Sequence, residues 1–103
     1  MSPDFSAMAE VDRLIHEPAR LMIVTVLNTV EEADFLYLLH TTGLTRGNLS
    51  AHLSKLAEAN YVEIEKTYRG KIPQTLLRIT PVGRKAFETY RDHLKKIMRA
   101  IED

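Results

Sequence analysis

The stretch from Thr45 to Lys55, TRGNLSAHLSK, gathers hydroxyl, guanidinium, amide, imidazole and ammonium groups within eleven residues. Such a mixture suits hydrogen bonding to a polar, anionic surface better than bond-breaking chemistry. Ser50 and His52 are two residues apart, so on a helix they face different directions and make no nucleophile–base pair. The four histidines, His16, His40, His52 and His93, fall at no compact metal-ligand spacing, and there is no cysteine. Thiolate metal sites, cysteine nucleophiles and disulfide staples are excluded. The chain has neither a glycine-rich phosphate loop nor an identifiable pair of catalytic carboxylates. The expectation is a chain that is not an enzyme and that uses no metal and no cofactor.

The element carrying this stretch is read as a helix capped by Thr45 and running to about Ala59, with Asn60 as a left-handed stop. Leu49, Leu53 and Leu56 fall on one side. The other side holds Gly47, Ser50, Ala51 and Ser54, where a surface helix ordinarily carries long charged side chains. A DNA major groove, about 12 Å wide, admits a helix, and small side chains let it sit deep. Arg46, Asn48 and Ser50 then reach base edges, with Arg–guanine and Asn–adenine the favoured pairings. Gly47 costs roughly 1 kcal/mol of helix stability relative to alanine. A close approach to a phosphate or base would account for it. The alternative is that the small face packs against another protein helix.

The neighbouring elements narrow the choice. The first residues are expected to be frayed, followed by a helix over about residues 8–16 with Met8, Val11, Leu14 and Ile15 at helical spacing. Pro18 suits the first turn of a second helix, to about Thr29. Asp34 caps a short third helix from Phe35 to about Thr41, which Gly43 closes. After Asn60 the period changes to the alternation Tyr61-Val62-Glu63-Ile64-Glu65-Lys66, a half-buried strand, and Thr75 to Ile79 is a second. The long basic loop between them, TYRGKIPQ from Thr67 to Gln74, holds Tyr68, Arg69 and Lys71, with Lys66 at its entry. Thr80-Pro81 starts a last helix that runs nearly to the C-terminus. Two helices joined by a tight glycine turn, then a hairpin, make a winged helix-turn-helix. The expected fold class is mainly α with a small β-hairpin wing. Residues 1–103 form one domain, with the helix-turn-helix at about 34–59, the wing at about 61–79 and terminal helices at about 8–16 and 81–102.

Length and composition agree with one small domain: 103 residues, 45% hydrophobic and 27% charged. Formal net charge is zero, which argues against a polybasic protein. It does not exclude nucleic-acid binding, because distribution matters more than the sum. The hairpin loop places Lys66, Arg69 and Lys71 against backbone phosphates or in a minor groove, where they supply affinity rather than sequence information. A merely solvated loop is the alternative, and Tyr68 either joins the phosphates or folds over the hairpin. No apolar run reaches the ~20 residues that span a bilayer. The start of the chain does not read as a secretory signal, so a cytoplasmic location is expected.

The segments HEPARLMIVTVL, ADFLYLLHTTGLTRGNLSAHLSKLAEANYVEIEK and LRITPVGRKAFETY resemble winged-helix DNA-binding regulators related to the MarR and ArsR groups. The resemblance covers about Val11 to Leu94. It implies a dimeric transcriptional regulator with Thr45, Arg46, Asn48, Ser50, His52 and Lys55 on or beside the recognition helix and Arg69 and Lys71 in the wing. ArsR-type metal sensors often carry a cysteine pair on the helix that matches FLYLLHT, so thiolate sensing does not apply here. The longer MarR proteins have more helical sequence around a ligand cleft than this chain does.

Tyr90, Leu94, Ile97 and Ile101 follow Phe87 at heptad-like spacing on the last helix. With Met98 they need a surface to cover them. Met8, Val11, Leu14 and Ile15 of the first helix, and the same residues of a second copy, are the candidates; pairing within one chain is the alternative. The expectation is a homodimer whose two recognition helices, about 34 Å apart, read a pseudo-palindromic operator in double-stranded DNA. The DNA-facing set is Thr45, Arg46, Gly47, Asn48, Ser50, Ala51, His52, Ser54 and Lys55, with Lys66, Tyr68, Arg69 and Lys71. The function expected is a sequence-specific DNA-binding regulator acting by repression. Any small-molecule effector would sit at the dimer interface. The rival is a winged helix used for protein–protein interaction.

Overall fold

A computed structural model describes residues 5–102; the residues expected to be frayed at 1–4, and residue 103, lie outside them. In chain order the elements are α1 (Ser6–Glu10), α2 (Pro18–Leu27), β1 (Ala33–Asp34), α3 (Phe35–Thr42), α4 (Arg46–Glu58), β2 (Val62–Arg69), β3 (Ile72–Ile79) and α5 (Pro81–Glu102). The sheet is antiparallel in the order β1-β3-β2. Helices α2, α3 and α4 bury Ile23, Val24, Leu27, Leu38, Leu49, Leu53 and Leu56 against Val62, Leu77 and Ile79 of the sheet and Phe87 of α5. The fold is the winged helix-turn-helix that the order of elements predicts.

Local signals set most boundaries. The Glu17 side chain accepts from the Ala19 and Arg20 N–H groups, and Pro18 opens α2. Asp34 Oδ1 accepts from Tyr37 N at 2.7 Å, and Gly43 closes α3 at φ 71°. Thr45 Oγ1 accepts from Asn48 N at 3.2 Å, and Asn60 follows α4 at φ 67°.

Three expectations are corrected. The first helix does not cover 8–16: it spans Ser6–Glu10, and the Asp12 side chain takes the N–H groups of Leu14 and Ile15 at 2.9 and 3.2 Å. A short acidic side chain offers the backbone an alternative to the helix. The hairpin has no long loop. Its strands extend to Arg69 and Ile72 in register, leaving Gly70 and Lys71 as a two-residue turn. Gly70 takes φ 64° at the first central position, where a type II′ hairpin turn favours glycine. Ile15 and Tyr90, expected at a dimer interface, are enclosed by their own chain, and the Tyr90 hydroxyl lies 2.8 Å from His16 Nδ1. The strand β1, with Ala33 opposite Leu77 and Asp34 opposite Leu76, is an addition that the sequence reading lacked.

The junction between the wing and α5 is close. Thr80 N donates to the Tyr61 carbonyl at 3.0 Å, Thr80 Oγ1 donates to the Asn60 carbonyl, and Gly83 N donates to Thr80 Oγ1 at 2.9 Å. The Tyr61 hydroxyl donates to Asp12 Oδ2 at 2.6 Å, tying the N-terminal segment to the same point. Burial first, then the bond to Asp12 and its charge, push the Tyr61 phenol up to about 12. A Cβ at Gly83 would overlap the Tyr61 carbonyl oxygen and stand 2.9 Å from its carbon.

Gly83→Ala therefore tests the junction. In an open helix the change would stabilise by about 1 kcal/mol. Here overlap with backbone reverses the sign, and urea unfolding is expected to show a net loss of about 1–3 kcal/mol.

Candidate nucleic-acid interface

Three leucines decide which way α4 faces. Leu49, Leu53 and Leu56 are buried, and helical phase turns the rest outward. Thr45, Arg46, Gly47, Asn48, Ser50, Ala51, Ser54 and Lys55 are all exposed. A Cβ built at Gly47 meets nothing within 4 Å, so no packing inside the chain requires glycine there. The single acid of α4 is Glu58, at its C-terminal end.

The wing forms one flank of this face. A groove of about 340 Å³ is lined by Ser50, Leu53 and Ser54 of α4, Phe35 of α3, and Ile64, Lys66, Thr75 and Leu77 of the sheet. A smaller one, about 290 Å³, has Arg46 and the start of α3 on one side and Pro73, Gln74 and Thr75 on the other. Cross-strand partners share a pleat face. The pairs Ile64↔Leu77, Lys66↔Thr75 and Tyr68↔Pro73 therefore lie on the α4 side, and Tyr68 is 70% exposed. Glu63, Glu65 and Arg69 take the opposite parity.

That parity separates the charges. Arg78, opposite Glu63, reaches Glu63, Glu65 and Glu32 at 3.6, 2.7 and 3.3 Å. The acids of the hairpin are gathered on the side away from α4, and Lys66 stands among hydroxyls on the α4 side. Zero net charge thus conceals two unlike faces. Arg69 ends β2 on the acidic side, and Lys71 occupies the turn.

The N-terminus of α2 forms the other flank, through His52, which is half-buried. His52 Nδ1 lies 3.2 Å from Arg20 Nη1 and 3.8 Å from Glu17 Oε2. Burial raises the Glu17 carboxyl pKa, but the N–H groups of Arg20 and Ala19 outweigh it and hold the carboxyl below the ordinary glutamate range. Of the other histidines, His40 is exposed and His93 Nε2 lies 3.8 Å from Glu10. Gln74 and Thr75 on the wing groove, and Arg20 and Glu17 behind His52, had escaped the sequence reading. The Glu17-Pro18 pair, an acid before a first-turn proline, was the available signal for the α2 anchor.

The terminal residues divide by exposure. Met8, Met98 and Ile101 are exposed, with Met98 at 46% and Ile101 at 65%. Val11, Leu14, Leu94 and Ile97 are half-buried, and Leu14 packs on the central core. Phe5, not anticipated, is also exposed.

A helix-turn-helix whose second helix is bare of bulk and flanked by a hairpin defines the winged-helix class of nucleic-acid-binding domain. The family model for the winged helix DNA-binding domain matches residues 19–98, and the chain belongs to that family. It is 34% identical over 91 residues to the uncharacterised protein MJ0432 of Methanocaldococcus jannaschii, covering 87% of this chain and 98% of that one. The structure of a transcriptional regulator homologue protein from Pyrococcus horikoshii OT3 shares the fold at a TM-score of 0.88 and 24% identity, covering 95% of this chain and 99% of that one. A protein assigned to the MarR family from Enterococcus faecalis V583 shares it at 0.74 and 14% identity, over 99% and 94% of the two chains. No helix among the described residues is long and apolar enough to cross a membrane.

The α2 anchor yields a pH-dependent expectation. A depressed carboxyl pKa contributes stability above the unfolded value of 4.5 and loses it as pH falls through the lower folded value. Glu17→Ala is expected to cost about 1 kcal/mol at pH 7, the usual worth of a helix cap. The gap from the parent should shrink as thermal unfolding is repeated below pH 4.

Proposed function

We propose that the protein is a sequence-specific, double-stranded DNA-binding transcriptional regulator that acts as a symmetric dimer. The observation that carries this reading is the outward face of α4: Gly47, Ser50, Ala51 and Ser54 are exposed and covered by no other element. Helix α4 enters the major groove, where Arg46, Asn48 and Ser50 meet base edges. Lys66 reaches the backbone from the α4 side of the wing, and Lys71 and Tyr68 approach it from the tip. His52 holds α4 at the α2 flank. The likeness in fold to the Pyrococcus horikoshii regulator homologue and to the MarR-family protein supports a role in transcription. The mode of regulation proposed is repression by occupying promoter DNA.

The dimer reading rests on shape and exposure. The radius of gyration is 15.7 Å, against about 13 Å for a compact chain of this length. Helix α5 has 22 residues, about 33 Å at 1.5 Å per residue. Its distal part carries Met98 and Ile101 into solvent, beside the half-buried Leu94 and Ile97. A second copy supplies the missing cover, with Met8 of α1 alongside. One observation favours the rival protein-interaction reading: Ile72, at the wing tip, is as exposed as Tyr68.

Selection from a random duplex pool is expected to return a pseudo-palindromic site with half-sites one helical turn apart. Arg46→Ala should relax the sequence preference and cost about 1–3 kcal/mol of binding, and Lys66→Ala should weaken all duplexes alike and lower the salt slope by about 1. Recovery of no preferred duplex would favour the protein-interaction module. In sedimentation, Ile101→Asp should shift the dimer to monomer and weaken operator binding with it. A monomeric parent would overturn the symmetric arrangement.

A further inference from the structure

The Arg20 guanidinium connects two parts of the chain. Its Nε donates to the Leu14 carbonyl at 2.6 Å, and Nη1 stands 3.2 Å from His52 Nδ1 on α4. A guanidinium carries donors only, so Nδ1 must accept. Glu17 Oε2 is 3.8 Å from that same nitrogen, beyond hydrogen-bond reach. The carboxylate lies equally 3.8 Å from Nη1 and is itself fixed by the N–H groups of Ala19 and Arg20 at 3.2 and 2.8 Å. The Arg20 side chain is only 12% exposed, so this arrangement is braced from behind. With its Nδ1 lone pair engaged, a neutral imidazole carries its proton on Nε2.

The other edge of the ring is open. His52 Nε2 makes no hydrogen bond within the chain among the described residues and is not an enclosed, unsatisfied atom. The side chain keeps 22% of its surface exposed. On α4, His52 follows Asn48 by one turn and precedes Lys55 by one, and both are exposed. The free edge therefore sits at the rim of the bare face, in line with two donors.

We propose that Arg20 is a positioning residue for this interface: it fixes His52 as the Nε2–H tautomer, and that N–H donates to a DNA phosphate at the α2 margin of α4. The inference rests on the DNA-binding reading above. It adds a neutral contact where the resemblance alone places only a residue near the helix. Arg20 acts through the ring and makes no DNA contact of its own.

Two measurements test it. Long-range proton–nitrogen NMR of the full chain without DNA should show Nε2–H at His52 in the parent and lose that single form in Arg20→Met. Binding is then measured on a duplex recovered by selection from a random pool. His52→Ala and Arg20→Met should each weaken binding about tenfold, the scale of one hydrogen bond to a charged group. The His52→Ala loss should leave the salt slope unchanged, because a neutral donor releases no counterion. His52→Gln, whose amide N–H can take the place of Nε2–H, should bind within about threefold of the parent. Adding Arg20→Met to His52→Gln should then cost little more. An equal loss from Arg20→Met in both backgrounds would make Arg20 merely structural and overturn the proposal, as would an Nδ1–H or doubly protonated ring in the parent. If Arg20→Met does not fold, the parent tautomer and the His52→Ala and His52→Gln pair decide. A parent that binds no duplex sinks the DNA reading and the phosphate contact together, whereas a parent that binds while His52→Ala matches it sinks only this proposal.

Discussion

The molecule depends on how little of α4 is buried. Three leucines, Leu49, Leu53 and Leu56, are its fully enclosed side chains, and they form a seam rather than a broad stripe. A narrow seam fixes rotation about the helix axis and leaves most of the circumference free. The two margins are then held in different ways. On the wing side the boundary is a groove floored by Leu53, Ile64 and Leu77. On the α2 side it is polar, made by Arg20, Glu17 and His52. A helix buried on a wider stripe would have no such face to present.

Charge follows the same economy of position. The hairpin pleat is a sorting device with a period of two, and it sends Glu63 and Glu65 to one face and Lys66 to the other. Arg78 then gathers the acids, with Glu32 from the turn before β1, into one cluster. A chain with no formal net charge can in this way keep a locally cationic margin beside α4. For association with a polyanion, the field at the contact matters more than the sum.

Much of the frame was legible because it is encoded locally. Asp34, Gly43, Thr45 and Asn60 each act within a few residues of themselves, so residue type and spacing reveal them. The hairpin was legible only in part. Its apolar alternation stops at Lys66, and the next residues, Thr67, Tyr68 and Arg69, carry no burial signal although their backbone stays paired. The two-residue β1 is shorter than any periodicity. The need for glycine at position 83 arises from Tyr61, 22 positions earlier in the chain, and so leaves no local signal. The terminal seam was misread at Ile15 and Tyr90 because apolar spacing along a helix does not say whether the cover comes from the same chain. The small outward face of α4 was visible in the sequence, whereas its polar anchor was not, because Arg20 and His52 meet only in three dimensions.

Pro73 bears on what the wing does not do. Only Leu76 and Leu77 of β3 pair with β1, so the distal half of β3 has an open side. Pro73 sits opposite Tyr68, one step in from the closing pair of a two-residue turn. There the backbone nitrogen points away from β2, toward that open side. A proline offers no N–H to an incoming strand, and prolines on edges discourage sheet-to-sheet addition. The blade stays two strands wide at its end instead of templating growth with a neighbouring molecule.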